Sequence, residues 1–163
     1  MHKLLIIFAL ASSTCVAADA DINDACHIKV CSAGDRAITY FKKDDPYYAC
    51  ASKELSEYVN FVIGLVSTSI QFTGQMPAIS PKTGEPEYLD GKDGPNKTRM
   101  ILDLLRKKAG VATLDQAMAQ CTKGSPNIRV SVMNNPADSQ AIWVIADKSK
   151  KSFWMPKSHL TKK

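Results

Sequence analysis

The side chains best suited to chemistry in this 163-residue chain are its cysteines and histidines. Cys26, His27 and Cys31 fall together in CHIKVC, Cys50 follows in YYACAS, Cys121 lies in AQCTKG, and His159 sits near the end in MPKSHL. Thiolate and imidazole together are zinc-ligand chemistry, but this spacing is neither that of a zinc ribbon nor that of a finger. A cysteine nucleophile would need a free thiolate beside a base. An even set of four cysteines behind an export signal reads instead as two disulfides, which consume the thiols.

Other reactive patterns are sparse. No GxSxG, HExxH or Walker sequence occurs, and DGKDGPN lacks the strand-to-helix setting of a phosphate loop. Glu87, Asp90 and Asp93 miss the register and terminal glutamate of a calcium-binding EF-hand loop. Glu54 with Glu57, and Glu85 with Glu87, read as charged faces of a helix and a loop. His159 follows a predicted strand and reads as a surface residue. Asn96-Lys97-Thr98 has the form of a glycosylation sequon, meaningful only where exported proteins are glycosylated. The expectation is therefore no catalytic residue, no metal, no cofactor and no enzyme activity.

The elements that must place these residues begin with an export signal. Residues 1–17 give a basic start at Lys3, an apolar run from Leu4 to Ala11 and small residues suited to signal peptidase. Cys15 leaves with that segment, and Ser12-Ser13-Thr14 makes a poor lipobox. A first helix is expected from Ile22 to Ser32, with Asp21 as cap. In a regular helix residues five apart lie about 8 to 9 Å apart at the α-carbon, beyond disulfide reach. Cys26 and Cys31 must then pair elsewhere. If the second helix returns antiparallel to the first, Cys31 meets Cys50, and Cys26 pairs with Cys121 by elimination.

The main helix spans Ser52 to Thr73, because Leu55, Tyr58, Val59, Val62, Ile63, Val66 and Ile70 recur at three and four and Gly74 stops it. Residues 74–96 form a Pro/Gly-rich loop anchored only by Met76, Ile79, Tyr88 and Leu89. A third helix runs from Lys97 to Ala109 with Met100, Ile101, Leu104 and Leu105 inward. Thr113-Leu114-Asp115-Gln116 has the form of a capping box and opens a short fourth helix ending at Cys121. Beyond Gly124 the period becomes alternating: Ile128, Val130 and Val132, then strands at Ala141–Ala146 and Ser152–Met155.

These elements imply an α+β chain. Residues 18–124 form a small disulfide-stapled helical bundle of three to four helices. Residues 125–163 form a short antiparallel β-meander with a basic tail, packed on the helices as one domain. Trp143, Phe153, Trp154 and His159 are its possible binding surface. The chain carries 21 Lys and Arg against 16 Asp and Glu, a formal net charge of +5. The lysine-rich end lacks the aromatic interleaving of a nucleic-acid surface, so no nucleic-acid partner is expected. The apolar stretch from Tyr58 to Phe72 is too short and too polar to span a bilayer. A periplasmic or secreted protein follows.

The order Cys-x4-Cys, a polar gap, then Tyr-x-Cys-x4-Leu-Ser-x-Tyr resembles the TrbM/KikA-like family of plasmid conjugation proteins. The matching residues are Cys26, Cys31, Cys50, Leu55, Ser56 and Tyr58, covering roughly residues 24–65. The resemblance implies an exported accessory of conjugation or a type IV secretion system, acting through protein partners of the cell envelope. The tail from Trp143 to Leu160 is similar to the closing strands of bacterial SH3-like domains, though too short for a whole barrel. That similarity implies the alternative of a cell-wall or peptide binding module working through the aromatic strands.

Overall fold

The structure, a computed structural model, describes residues 24–41, 45–90, 94 and 96–163. The expected signal segment, residues 1–17, and the start of the first expected helix lie outside these residues. The described chain gives strand β1 (Arg36–Thr39), β2 (Tyr48–Cys50), helix α1 (Lys53–Thr73), α2 (Lys97–Lys108), α3 (Leu114–Met118) and β3 (Cys121–Lys123). It continues through β4 (Arg129–Asn134), β5 (Ala141–Ala146), β6 (Ser152–Pro156), a 3-10 turn at Lys157–His159 and β7 (Leu160–Lys162).

The expected helical bundle with an appended meander is not what forms. Among the described residues the strands make one seven-stranded sheet in the order β3-β2-β6-β5-β4-β1-β7, every pairing antiparallel, accompanied by three α-helices. β1, β2 and β3, none of them read from the sequence, come from the segment taken to be helical. They are short: Arg-Ala-Ile-Thr, Tyr-Ala-Cys and Cys-Thr-Lys give too few positions to show an alternation. Five neighbouring strands of this sheet, β7-β1-β4-β5-β6, form its larger part. The tail supplies four of these strands. The fifth, β1, comes from before the helices, and everything from residue 40 to residue 128 is inserted between it and β4.

Side-chain alternation along the sheet sets two cores. Ala37, Val130, Val132, Ile142, Val144, Met155 and Leu160 fill the first, closed at one end by Cys26 and Cys31. The second lies between the helices and β2, around Leu55, Tyr58, Val59, Val62, Leu102 and Ala117. Ser52 caps α1 by accepting from the Leu55 amide, and Gly74 ends it at φ 69°, a left-handed conformation that favours glycine. Asn60, a polar break in the apolar stripe, docks this helix on β2: its Oδ1 accepts from the Tyr48 amide at 2.7 Å and its Nδ2 donates to the Tyr48 carbonyl at 3.0 Å. β2 meets β6 only at Cys50 opposite Trp154, so Asn60 satisfies backbone groups the sheet leaves open.

The disulfide pairing differs from the expected one. Cys26 bonds Cys31 and Cys50 bonds Cys121. Residues 26–30 form a turn rather than a helix, bringing the Cys26 and Cys31 α-carbons to 5.3 Å, well inside reach. Cys121 is not at a helix end but in β3, directly opposite Cys50 of β2. α2 also turns a different face inward. Leu102 is buried and Leu105 is partly buried against the second core, whereas Met100, Ile101 and Leu104 are exposed.

The Pro/Gly-rich loop folds back on itself through a bridge between Ile79 and Pro86, with the Glu87 amide donating to the Ala78 carbonyl at 2.8 Å. Of its expected anchors, Tyr88 packs partly buried against the second core, whereas Met76, Ile79 and Leu89 are exposed. It is held as well by buried Glu85, which accepts from the Tyr58 hydroxyl at 2.8 Å and pairs with Arg106.

Candidate functional site

A cleft runs between α1 and the end of the sheet. Glu57, Phe61, Gly64, Leu65 and Thr68 recur at three and four and so share one helix face. That face lines two cavities of about 420 and 350 Å³. The cavities share Asn60, Phe61, Pro156 and Ser158 and so adjoin along the helix. Gln140 and Lys108 border one end; Asp45 and His159 border the other. A Cβ added at Gly64 would meet no atom within 4 Å, so the glycine leaves open space along the helix wall.

At the Gln140 end, buried Ser139 donates to Glu57 and accepts from the Ala141 amide at 2.9 Å. The Lys157 ammonium donates to the Pro136 carbonyl at 2.8 Å. Burial pulls this lysine below its ordinary value, opposed by the charges of Asp138 and Glu57.

At the other end the His159 ring is buried between tyrosines, its centroid 6.0 Å from that of Tyr40 and 5.9 Å from that of Tyr47. Its Nε2 lies 2.9 Å from the Asp45 carbonyl oxygen and 3.5 Å from Asp45 Oδ2; its Nδ1 lies 3.1 Å from Ser158 Oγ. A carbonyl only accepts, so Nε2 carries the proton. In the neutral ring Nδ1 is then a bare acceptor, and the Ser158 hydroxyl donates to it.

The four residues expected as one binding surface are divided among three places. Phe153 packs against the first core. Trp143 and Trp154, alternating with buried Ile142 and Met155, lie on the opposite sheet face. They pair directly across strands and stack on each other at 6.2 Å and 17°. Both are half-buried, neither free on the surface nor sealed under the helices. His159 is not a surface residue; it stands in the wall of the cleft.

Both thiols of the Cys26-His27-Cys31 cluster are spent in one disulfide and offer no ligand. Among the described residues no group of three or more His, Cys, Asp or Glu is placed to hold a metal ion, and no helix is long and apolar enough to cross a membrane. Sequence reasoning missed Ser158, Asp45 and Glu57. The adjacent Ser158-His159 is visible in the sequence, but Asp45 lies 114 residues away and only the fold joins them. Comparison with protein-family models, curated proteins and solved structures finds no match to this chain.

Proposed function

We propose that this chain is an exported accessory that works by contact, holding a segment of a cell-envelope protein in the cleft beside α1. The two adjoining cavities carry this reading: they are lined by apolar Phe61, Leu65 and Pro156 with polar groups at both ends, the usual make-up of a binding site. Two disulfides support an oxidising compartment, and the export-signal pattern of residues 1–17 agrees with it. The setting, plasmid conjugation or a type IV secretion system, rests on the cysteine motif around Cys26, Cys31 and Cys50.

Gly64→Leu tests the groove cleanly. It fills open space, and it removes a mid-helix glycine that costs about 0.5 to 1 kcal/mol relative to alanine. The variant should unfold no more easily than the parent while plasmid transfer from donor cells falls at least tenfold. Wild-type transfer at normal protein level would remove the cleft from the mechanism. Unchanged transfer after deletion of the whole gene would remove the conjugation setting itself.

A further inference from the structure

We propose that Ser158 is a nucleophile activated by His159, making the cleft an acyl-transfer site for carboxylic esters with an apolar acyl group. The inference shares the cleft of the proposed function but needs no partner protein, so its test stands apart from the transfer assay.

Three observations converge on it. The proton on Nε2, fixed by the Asp45 carbonyl at 2.9 Å, leaves Nδ1 to accept from Ser158 Oγ at 3.1 Å; nucleophile, base and orienting group therefore form one hydrogen-bonded chain. The Asp45 carboxylate, 3.5 Å from Nε2, is placed to stabilise the imidazolium that forms when the serine proton arrives. Tyr40 and Tyr47 flank the ring and hold its orientation, and the Tyr40 hydroxyl also donates to the Ser158 carbonyl. The serine binds Nδ1 rather than Nε2, which reverses the more familiar arrangement of a serine triad; the roles are set by geometry, not by which nitrogen serves.

Access is provided as well. Ser158 is one of the four residues that line both cavities, together with Phe61 and Pro156, and the apolar lining suits an acyl chain. Thr68 lines the same cavity as Ser158 and His159.

The step balances without any group beyond water. Ser158 Oγ bonds to the ester carbonyl carbon as its proton passes to His159 Nδ1. The carbon–oxygen bond to the alcohol breaks, and the alcohol leaves with that proton. Water, deprotonated by the same nitrogen, then attacks the acyl-serine and releases the carboxylic acid and the free hydroxyl.

A fluorophosphonate probe tests this on the intact, oxidised protein, since phosphonylation forms an Oγ–P bond and expels fluoride by the same activation. Intact mass should rise by one probe per chain, and peptide mapping should place it on Ser158. Ser158→Ala, a small change at a half-buried position, should keep the melting temperature and lose the label. His159→Gln should slow labelling at least tenfold, and p-nitrophenyl butyrate hydrolysis should follow the same order. Failure of the folded wild-type protein to label, or a label that persists in Ser158→Ala, overturns the proposal.

Discussion

Glu85 shows how a single residue can be misread at the residue scale. In the sequence it is one of several acids in a loop dense with proline and glycine, and nothing local marks it as buried. Only the meeting of α1 with α2 does so, by placing Tyr58 and Arg106 on either side of it. Burial raises the Tyr58 phenol, and the Glu85 carboxylate raises it further. Burial pulls Arg106 down, but Glu85 and Asp103 outweigh it and its value is raised. Removing one partner of a buried pair leaves an uncompensated charge, so Glu85→Ala should lose about 3 kcal/mol in urea unfolding. A loss below about 1 kcal/mol would mean the loop is not held there.

Tyr58 and two further tyrosines set an alkaline limit. Tyr40, Tyr47 and Tyr58 all titrate above their ordinary 10.0 because burial disfavours the phenolate. Past pH 10 the unfolded chain gives up these protons while the folded one keeps them, and stability falls with rising pH. Lys157 acts oppositely: its lowered value means that stability gains as pH rises toward 10.5. Three phenols against one ammonium give a net fall, seen as a denaturation midpoint that drops above pH 10. In acid, Asp35 is held below its ordinary 3.8 by Lys162 and then by the Ser32 amide. Its contribution is present above that value and is lost as pH falls through the lowered one.

At the scale of elements, the sequence was legible where a long period or a cap announced itself. α1 and α2 start and stop within a residue of their signals, Thr113 caps α3 by accepting from Gln116, and β5 and β6 match their alternation. The CHIKVC segment was not legible, because a disulfide-closed turn and one turn of helix place cysteines at the same sequence spacing. The inward face of α2 was misjudged because the helix packs on one side only, leaving half of an apolar sequence in solvent. The cleft was hidden for a related reason: Phe61, Gly64, Leu65 and Thr68 read as the flank of a core stripe until the sheet end is set opposite them.

The two disulfides should differ in weight, since one spans 71 residues and the other 5. Loop-closure entropy gives about 4 kcal/mol for the long loop and about 2 kcal/mol for the short one. The Cys50→Ser, Cys121→Ser double variant should therefore be the less stable by about 2 kcal/mol in matched urea titrations. Equal losses from the Cys26→Ser, Cys31→Ser variant would show that the short loop, which closes the first core, acts chiefly through packing.

At the scale of the whole molecule the sheet is a splice of distant segments. β1 pairs with β4 and β7, and β2 with β3 and β6, so strands before α1 are bonded to strands after α3 throughout. No reading that assigns helices to one stretch and strands to the next can recover this, because the pairing is non-local and its first strands are short. It also predicts what a single chain break will do. Lys82 is exposed in the turn between the bridged residues Ile79 and Pro86, the place where trypsin should nick the oxidised protein first. The two fragments should run as one species on a non-reducing gel, joined by Cys50–Cys121, and as two on a reducing gel. Under native conditions with reductant they should still co-elute in size-exclusion chromatography, since backbone pairing and the second core join them as well. Separation on reduction alone would show that the disulfide, and not the interleaved sheet, holds the halves together; first cleavage within α1 would show that the helix is less firmly packed than Tyr58, Val59 and Val62 make it.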